Sequence, residues 1–237
     1  MEIKYVFDVD GTLTPSRALI TPQFGEWFAN FCDKNDVYLV TGSDRSKTLE
    51  QVGENIYNKC KRVYNCSGSD VYEGNKNIRS SEWEVPKDLF DLMEGWLQSS
   101  SFAFRTGNHM EERPGMVNFS IVGRNATPAQ RLEYVKHDKA NRERESIAYE
   151  INSNFHFITA HVGGETGIDI HPTDADKSQI LTDFNKGDII YFYGDAIFTG
   201  GNDMPLAEAI KTHKDISGKS FRVVDWYDTW KKLEEQL

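Results

Sequence analysis

Two aspartates one residue apart, Asp8 and Asp10, stand at the end of the apolar run Tyr5-Val6-Phe7 and lead into Gly11-Thr12. Alternate residues of a strand share a face, so both carboxylates would project to one side where the strand ends. A surface turn accounts for such a pair, because Asp and Gly favour turns and Asp is usually solvated. A metal site is the alternative. Three further stretches carry compatible chemistry. Thr41-Gly42-Ser43 follows a second apolar run and offers a hydroxyl and free backbone N–H groups to an anion at a helix start. Ser43 and Asp44 also suit that helix as N-cap residues. Lys177 opens a helical segment as a point charge suited to phosphate oxygens. Gly194-Asp195 and Gly200-Gly201-Asn202-Asp203 bring more carboxylates to the end of another strand.

A carboxylate approaching a phosphate dianion is repelled, since two unit charges ~4 Å apart cost roughly 4 kcal/mol at an effective dielectric of ~20. Such a site needs positive charge nearby. The chain as a whole does not supply it: 37 acidic against 27 basic residues leave a net charge of -10. That balance argues against nucleic acid or an anionic membrane as partner, and requires a local basic cluster for any anionic substrate. Cys32, Cys60 and Cys66 form no CxxC and no even set, which points to reduced thiols and neither a disulfide framework nor a thiolate zinc site. No apolar run approaches membrane-spanning length and the N-terminal run is too short and charged for a signal peptide, so a cytoplasmic protein is expected.

The elements that must position these groups read as α/β. Ile3 to Phe7 and Val37 to Val40 are strand-like, and Pro22 to Cys32 and Ser46 to Asn58 are helical. This alternation predicts a doubly wound, Rossmann-like parallel sheet with ligands outside the carboxyl ends of its strands. The pattern breaks near Arg79 to Pro86. A helix at Pro86 to Leu97 then precedes a strand-rich region, with strands expected at Phe102 to Phe104, Gly115 to Val122, Phe155 to Val162 and Gly167 to Ile170. Their partial alternation suits an antiparallel sheet with one covered face. Between them, Thr127 to Ile151 is charged with a stripe through Leu132, Val135, Ile147 and Ile151, as expected of a helix packed on that sheet. From Lys177 the first pattern resumes, with helix Ser178 to Phe184, strand Ile189 to Tyr193, helix Met204 to Ile210, strand Phe221 to Val224 and helix Trp226 to Gln236. The expected organisation is a discontinuous core, 1–82 and 174–237, with an inserted α/β cap domain, 83–173, that contains the antiparallel sheet. His156, His161 and His171 are read as structural.

Taken in order, the four core stretches resemble the haloacid dehalogenase superfamily. The resemblance implies that Asp8 attacks phosphorus and that Asp10 is the general acid and base. It also implies magnesium held by Asp8, the Asp10 backbone carbonyl and Asp195, with Lys177 neutralising from the other side and Asn202 and Asp203 orienting metal-bound water. Thr41 takes the place of the family's hydroxyl donor to the transferring group.

The inserted region carries a second resemblance. Arg113 to Arg124 fits the form R-x-G-M-x-N-x-S-x-x-G-R, and Arg131 follows seven residues later. This is similar to the cap of eukaryotic-type phosphomannomutases. It implies that Arg113, Arg124 and Arg131 hold the phosphate distal to the reacting one, that Arg17 sits near the core-cap cleft and that Asp169 binds sugar hydroxyls. The implied reaction interconverts mannose 6-phosphate and mannose 1-phosphate through phospho-Asp8 and a bisphosphate, with hexose 1,6-bisphosphate as an activator and a homodimer formed through the cap. Three positions depart from the family: Thr41 stands for a Gly, Gly167 for a sugar-contacting Ser, and Met204 directly follows Asp203 where an acidic cation-binding loop is usual. A magnesium-dependent sugar-phosphate phosphatase of the same superfamily is the alternative.

Overall fold

The structure, a computed structural model, describes residues 3–236. From the N-terminal side, β1 (Ile3–Phe7), α1 (Pro22–Cys32), β2 (Asp36–Val40), α2 (Arg45–Lys59) and β3 (Arg62–Asn65) alternate, and a hairpin of β4 (Asp70–Glu73) and β5 (Lys76–Ser80) follows. Next come α3 (Lys87–Ser99), β6 (Met110–Arg113), β7 (Met116–Phe119), α4 (Pro128–Asn141), α5 (Glu143–Asn154), β8 (Ile158–Gly163) and β9 (Gly167–Pro172). The chain returns through a 3-10 turn at Lys177–Asp183 to β10 (Ile189–Gly194), α6 (Met204–Thr212), β11 (Ser217–Arg222) and α7 (Trp226–Glu234).

Seven strands form one sheet in the order β11-β10-β1-β2-β3-β4-β5, parallel from β11 to β3 and antiparallel in the β4–β5 hairpin. Period-2 alternation divides β1 between the two faces. Tyr5 and Phe7 join the cluster of Phe24, Phe28 and Phe31 from α1, while Val6 joins Phe192 of β10 and Leu206 of α6. Both faces are therefore covered, as a parallel sheet requires. Full burial of each such side chain contributes about 1.5–3 kcal/mol. β1 lies between β10 and β2, so strand order reverses beside it, and the crevice at the carboxyl ends of β1 and β10 is where a ligand belongs.

β6, β7, β9 and β8 form a separate antiparallel sheet in that order. Val117, Phe119, Ile168 and Ile170 turn to one face and pack under α3, α4 and α5 with Met93, Tyr134, Ile147 and Ile151. Asn118 and Asp169, one step out of phase and directly paired in register, therefore occupy the opposite face. One face builds the cap's core and the other presents polar groups.

The architecture is the α/β one that the alternation predicts, with six local differences. Thr127 to Ile151 is two helices: Arg142 has φ 53°, a left-handed conformation that ends α4 and starts α5. Tyr134 anchors α4, while Leu132 of the expected stripe is exposed. Phe102 to Phe104 pairs with no strand among the described residues; the Arg105 guanidinium binds the carbonyls of Leu97, Ser100, Phe102 and Phe104 instead. Gly115 to Val122 shortens to β7 and turns back on β6. The Lys177 segment is 3-10 rather than α-helical, and β11 begins at Ser217, ahead of the expected Phe221. Among the described residues, no helix is long and apolar enough to cross a membrane.

Candidate active site

Asp8 follows β1 and Asp195 follows β10, so parallel pairing of the two strands brings both aspartates to the same sheet edge. Asp203 joins them from the start of α6, and one oxygen from each of Asp8, Asp195 and Asp203 lies within 4.8 Å of the others. Lys177 is the counter-charge. Only 1% exposed, it donates from Nζ to Asp8 Oδ1 at 2.7 Å and to Asp203 Oδ1 at 2.7 Å. Asp203 is held at its other oxygen by the Ala196 N–H at 3.0 Å, and Asp8 Oδ2 accepts from Thr12 Oγ1 at 3.3 Å.

One ammonium does not balance three carboxylates. Burial pushes the Asp8 carboxyl well above the ordinary range, with Lys177 opposing and Asp203 and Asp195 adding to the rise. Burial, reinforced by Asp203, pushes Asp195 up to about 7. Desolvation works against the charge on Lys177, but Asp203 and Asp8 outweigh it and raise its pKa, so it stays an ammonium. The excess negative charge and the hard oxygen donors fit a magnesium ion, which takes carboxylate and water oxygens.

Asp10 points elsewhere. Its Oδ1 accepts from the Arg17 N–H at 2.5 Å and from Gln51 Nε2 at 2.9 Å, and its Oδ2 from Ser43 Oγ at 3.2 Å. Two aspartates on one face thus have different surroundings, one among charges and one among neutral donors. Arg17 has φ 55°, a backbone conformation uncommon for a non-glycine residue that often marks a functional segment.

The cap lowers its polar face onto this edge. Arg113 Nη1 donates to the Gly42 carbonyl at 2.5 Å, and the Val162 N–H to the Gly200 carbonyl at 3.1 Å. Asp169, 4% exposed, accepts from Asn118 Nδ2 at 2.7 Å on one oxygen and from Asn202 Nδ2 at 3.1 Å on the other. Asn202 lines the same cleft as Asp8 and Asp195, and its amide also meets Asp169 across the seam. Gly42 and Gly163 both lie against Asp169, and a Cβ on either would stand 2.6 Å from its Oδ2.

A cleft results, walled by Asp8, Asp10, Thr41 and Asp195 from the core and by Arg113, Arg124, Arg131 and Asp169 from the cap, with Arg17 between them. Burial lowers the Arg17 pKa, and the charges of Arg131 and Arg113 add to the effect. In an acidic chain, this is the local basic cluster that an anionic ligand needs. The walls offer carboxylates for nucleophilic and acid-base work at one side and guanidinium forks at the other.

A model of the eukaryotic phosphomannomutase family matches residues 24–237. The chain belongs to that family. It is 31% identical over 244 residues to the phosphomannomutase of Encephalitozoon cuniculi (strain GB-M1), covering 98% of this chain and 93% of that protein. With the phosphomannomutase of Saccharomyces cerevisiae (strain ATCC 204508 / S288c) the identity is 31% over 215 residues, 86% of this chain and 85% of that one. In fold it is similar to IMP-bound Plasmodium falciparum IMP-nucleotidase, with TM-score 0.61 and 14% identity over 100% of this chain and 68% of that one. A haloacid dehalogenase-like hydrolase from Bacteroides thetaiotaomicron gives TM-score 0.55 and 12% identity over 100% and 99%. The parallel core with its separate antiparallel sheet is the haloacid-dehalogenase type of core and cap.

Two polar residues of this phosphomannomutase-family site were not singled out from the sequence, and a third, Asn118, stood there only as a fixed position of the arginine motif. Gln51 of α2 reaches Asp10 at 2.9 Å and Thr14 Oγ1 at 3.2 Å; an apolar helix face offers no local sign of this. Asn118 sits in β7 opposite Asp169, and strand alternation across Val117-Asn118-Phe119 was the available signal. Glu111 pairs with Arg113 and Arg124, and its signal was a position two residues before Arg113 in a strand. Ser43 contacts Asp10, while the N-cap role falls to Asp44, which accepts from the Lys47 N–H at 2.9 Å. His161 and His171 stack with centroids 5.5 Å apart, and burial together with the His171 charge lowers the His161 pKa to about 4.

Proposed function

We propose that this chain interconverts mannose 6-phosphate and mannose 1-phosphate, through an aspartyl phosphate on Asp8 and a hexose bisphosphate. The observation that carries the reading is one cleft holding both a nucleophile-type aspartate and four arginines. A phosphatase needs only the first; an enzyme that turns a bisphosphate end for end needs a second anion pocket. Family membership supports the same conclusion.

In this reading the Asp8 carboxylate attacks phosphorus, the bond from phosphorus to the sugar oxygen breaks, and that oxygen takes a proton from Asp10. The reverse step begins when Asp10 removes a proton from the other sugar hydroxyl, which attacks phospho-Asp8. Lys177 fixes the Asp8 carboxylate and balances its charge, and Thr41 donates a hydroxyl to the transferring group. Arg17, Arg113, Arg124 and Arg131 hold the distal phosphate. Asp169, oriented from both sides by Asn118 and Asn202, takes sugar hydroxyls. Asp8, Asp195 and the Asp10 backbone carbonyl would hold magnesium, which cancels charge between carboxylate and phosphate when bound; Asp203 supports that site through Lys177. Cap contacts across the seam restrict water, the competing acceptor.

The catalytic core comprises 1–82 and 174–237 and the cap 83–173, with the Arg113–Gly42 and Asn202–Asp169 bonds closing one on the other. A hexose 1,6-bisphosphate primes Asp8, the protein works in the cytoplasm, and exposed Phe90 and Phe104 supply apolar surface for a homodimer through the cap, which sedimentation velocity would measure. The deciding experiment is phosphorus NMR with mannose 1-phosphate, magnesium and a trace of glucose 1,6-bisphosphate. Growth of a mannose 6-phosphate signal is expected; inorganic phosphate as sole product would make the chain a sugar-phosphate phosphatase.

A further inference from the structure

Arg113 and Arg124 approach the cleft from different segments, Arg113 from the end of β6 and Arg124 from the loop beyond β7. Behind them stands Glu111, which does not line the cleft. Its Oε2 accepts from Arg113 Nε at 3.0 Å and from Arg124 Nε at 2.8 Å, and also meets the Nη2 group of each. Both guanidiniums therefore turn the same edge to a single carboxylate oxygen. Their Nη1 ends are left for other partners, and Arg113 Nη1 already reaches Gly42. Glu111 and Arg113 are two apart in β6 and so share a face. The loop carrying Arg124 is fixed by its N–H donating to the Asn108 carbonyl at 2.8 Å.

We propose that Glu111 is the positioning residue of the distal-phosphate pocket, holding the Arg113 and Arg124 forks in register before the sugar phosphate arrives. Two guanidiniums so close repel each other, and each long side chain has rotamer freedom to lose on binding. A carboxylate shared at their rear edges offsets the repulsion and removes that freedom beforehand, which lowers the cost of association. Its own negative charge does not cancel the pocket, because Arg17 and Arg131 line the same cleft. The inference rests on the proposed role of the arginines.

The test measures KM, kcat and calorimetric affinity for mannose 1-phosphate in Glu111→Gln, Glu111→Ala, Arg124→Ala and the Glu111→Gln/Arg124→Ala double variant, with melting curves for each. Glu111→Ala is expected to raise KM and the dissociation constant about tenfold with kcat within about twofold, and Glu111→Gln, which keeps the size, to give a smaller rise in the same direction. With Arg124 already removed, Glu111→Gln should have less than half of its single-variant effect. An unchanged or lowered KM would overturn the proposal, since Glu111 would then be idle or a competitor for the arginines. The same holds for an undiminished Glu111 effect in the Arg124→Ala background, or for a loss that follows melting temperature alone. An Arg124→Ala variant with wild-type affinity would instead overturn the arginine pocket itself.

Discussion

Replacing Lys177 by Met keeps much of the side-chain volume and removes the one ammonium that touches both Asp8 and Asp203. Both bonds are 2.7 Å long and all three groups are buried, so water cannot take over the lost contacts. Removing one partner of such a cluster costs about 3–5 kcal/mol. For a chain of this size, at about 2–4 °C per kcal/mol, the melting temperature should fall by roughly 6–20 °C. The loss has a pH signature. Without the ammonium, the Asp8 carboxyl, already held above its unfolded value by burial, rises further, so the folded state binds more protons across the window above ~4 and stability falls as pH rises. Melting in chelator, measured by calorimetry at about pH 5 and about pH 8, should give a small deficit at the first and the full deficit at the second. Asp8→Asn in the same chain removes one stranded carboxylate and should recover part of the loss. A shift below ~2 °C at the higher pH, or a deficit equal at both, would refute the claim that Lys177 is a buried charge balance.

Asp8→Asn alone should abolish turnover in a coupled assay for mannose 6-phosphate while melting close to wild type, because Lys177 keeps Asp203 as a partner; surviving activity would remove Asp8 as nucleophile. Arg124→Ala should weaken calorimetric binding of the sugar phosphate by about 1.5–3 kcal/mol if the guanidinium makes a charge-assisted contact. Asp195, pushed up to about 7, is raised above its unfolded value, so its contribution to metal-free stability is lost as pH rises towards that pKa. Magnesium should accordingly raise the melting temperature more at about pH 8 than at about pH 5, where protons compete for the carboxylates. Arg142→Gly should stabilise the cap by up to about 1 kcal/mol in urea titration, because Arg142 holds a left-handed conformation that suits glycine.

The motifs at strand ends were legible because strand alternation and parallel topology determine where residues such as Asp8, Thr41 and Asp195 emerge. The helices α1 and α7 were legible from their apolar spacing. The β4–β5 hairpin was not, since β5 is Lys-Asn-Ile-Arg-Ser, largely exposed, and an edge strand needs no apolar alternation. The break at Arg142 escaped because a left-handed arginine has no compositional sign. At the site, the arginines and Asp169 were readable by resemblance, but the different surroundings of Asp8 and Asp10 depend on Gln51, Ser43 and Lys177, which sequence distance hides. Asn202 is the clearest case: its neighbours in sequence point to the carboxylate cluster, and its amide bonds to Asp169 in the cap.

Gly42, Gly163 and Gly194 have no left-handed backbone to explain them. Each instead faces a carboxylate, with a Cβ placed 2.6 Å from Asp169 Oδ2 for Gly42 and Gly163 and from Asp203 Oδ2 for Gly194. Those carboxylates cannot step aside freely, since Asp169 is tied to Asn118 and Asn202, and Asp203 to Lys177 and Ala196. A single methyl group at one of these positions would therefore leave local geometry acceptable and yet displace a charged group in the cleft. Alanine at any of these three positions should therefore disturb the chemistry of the cleft as the loss of an acid would.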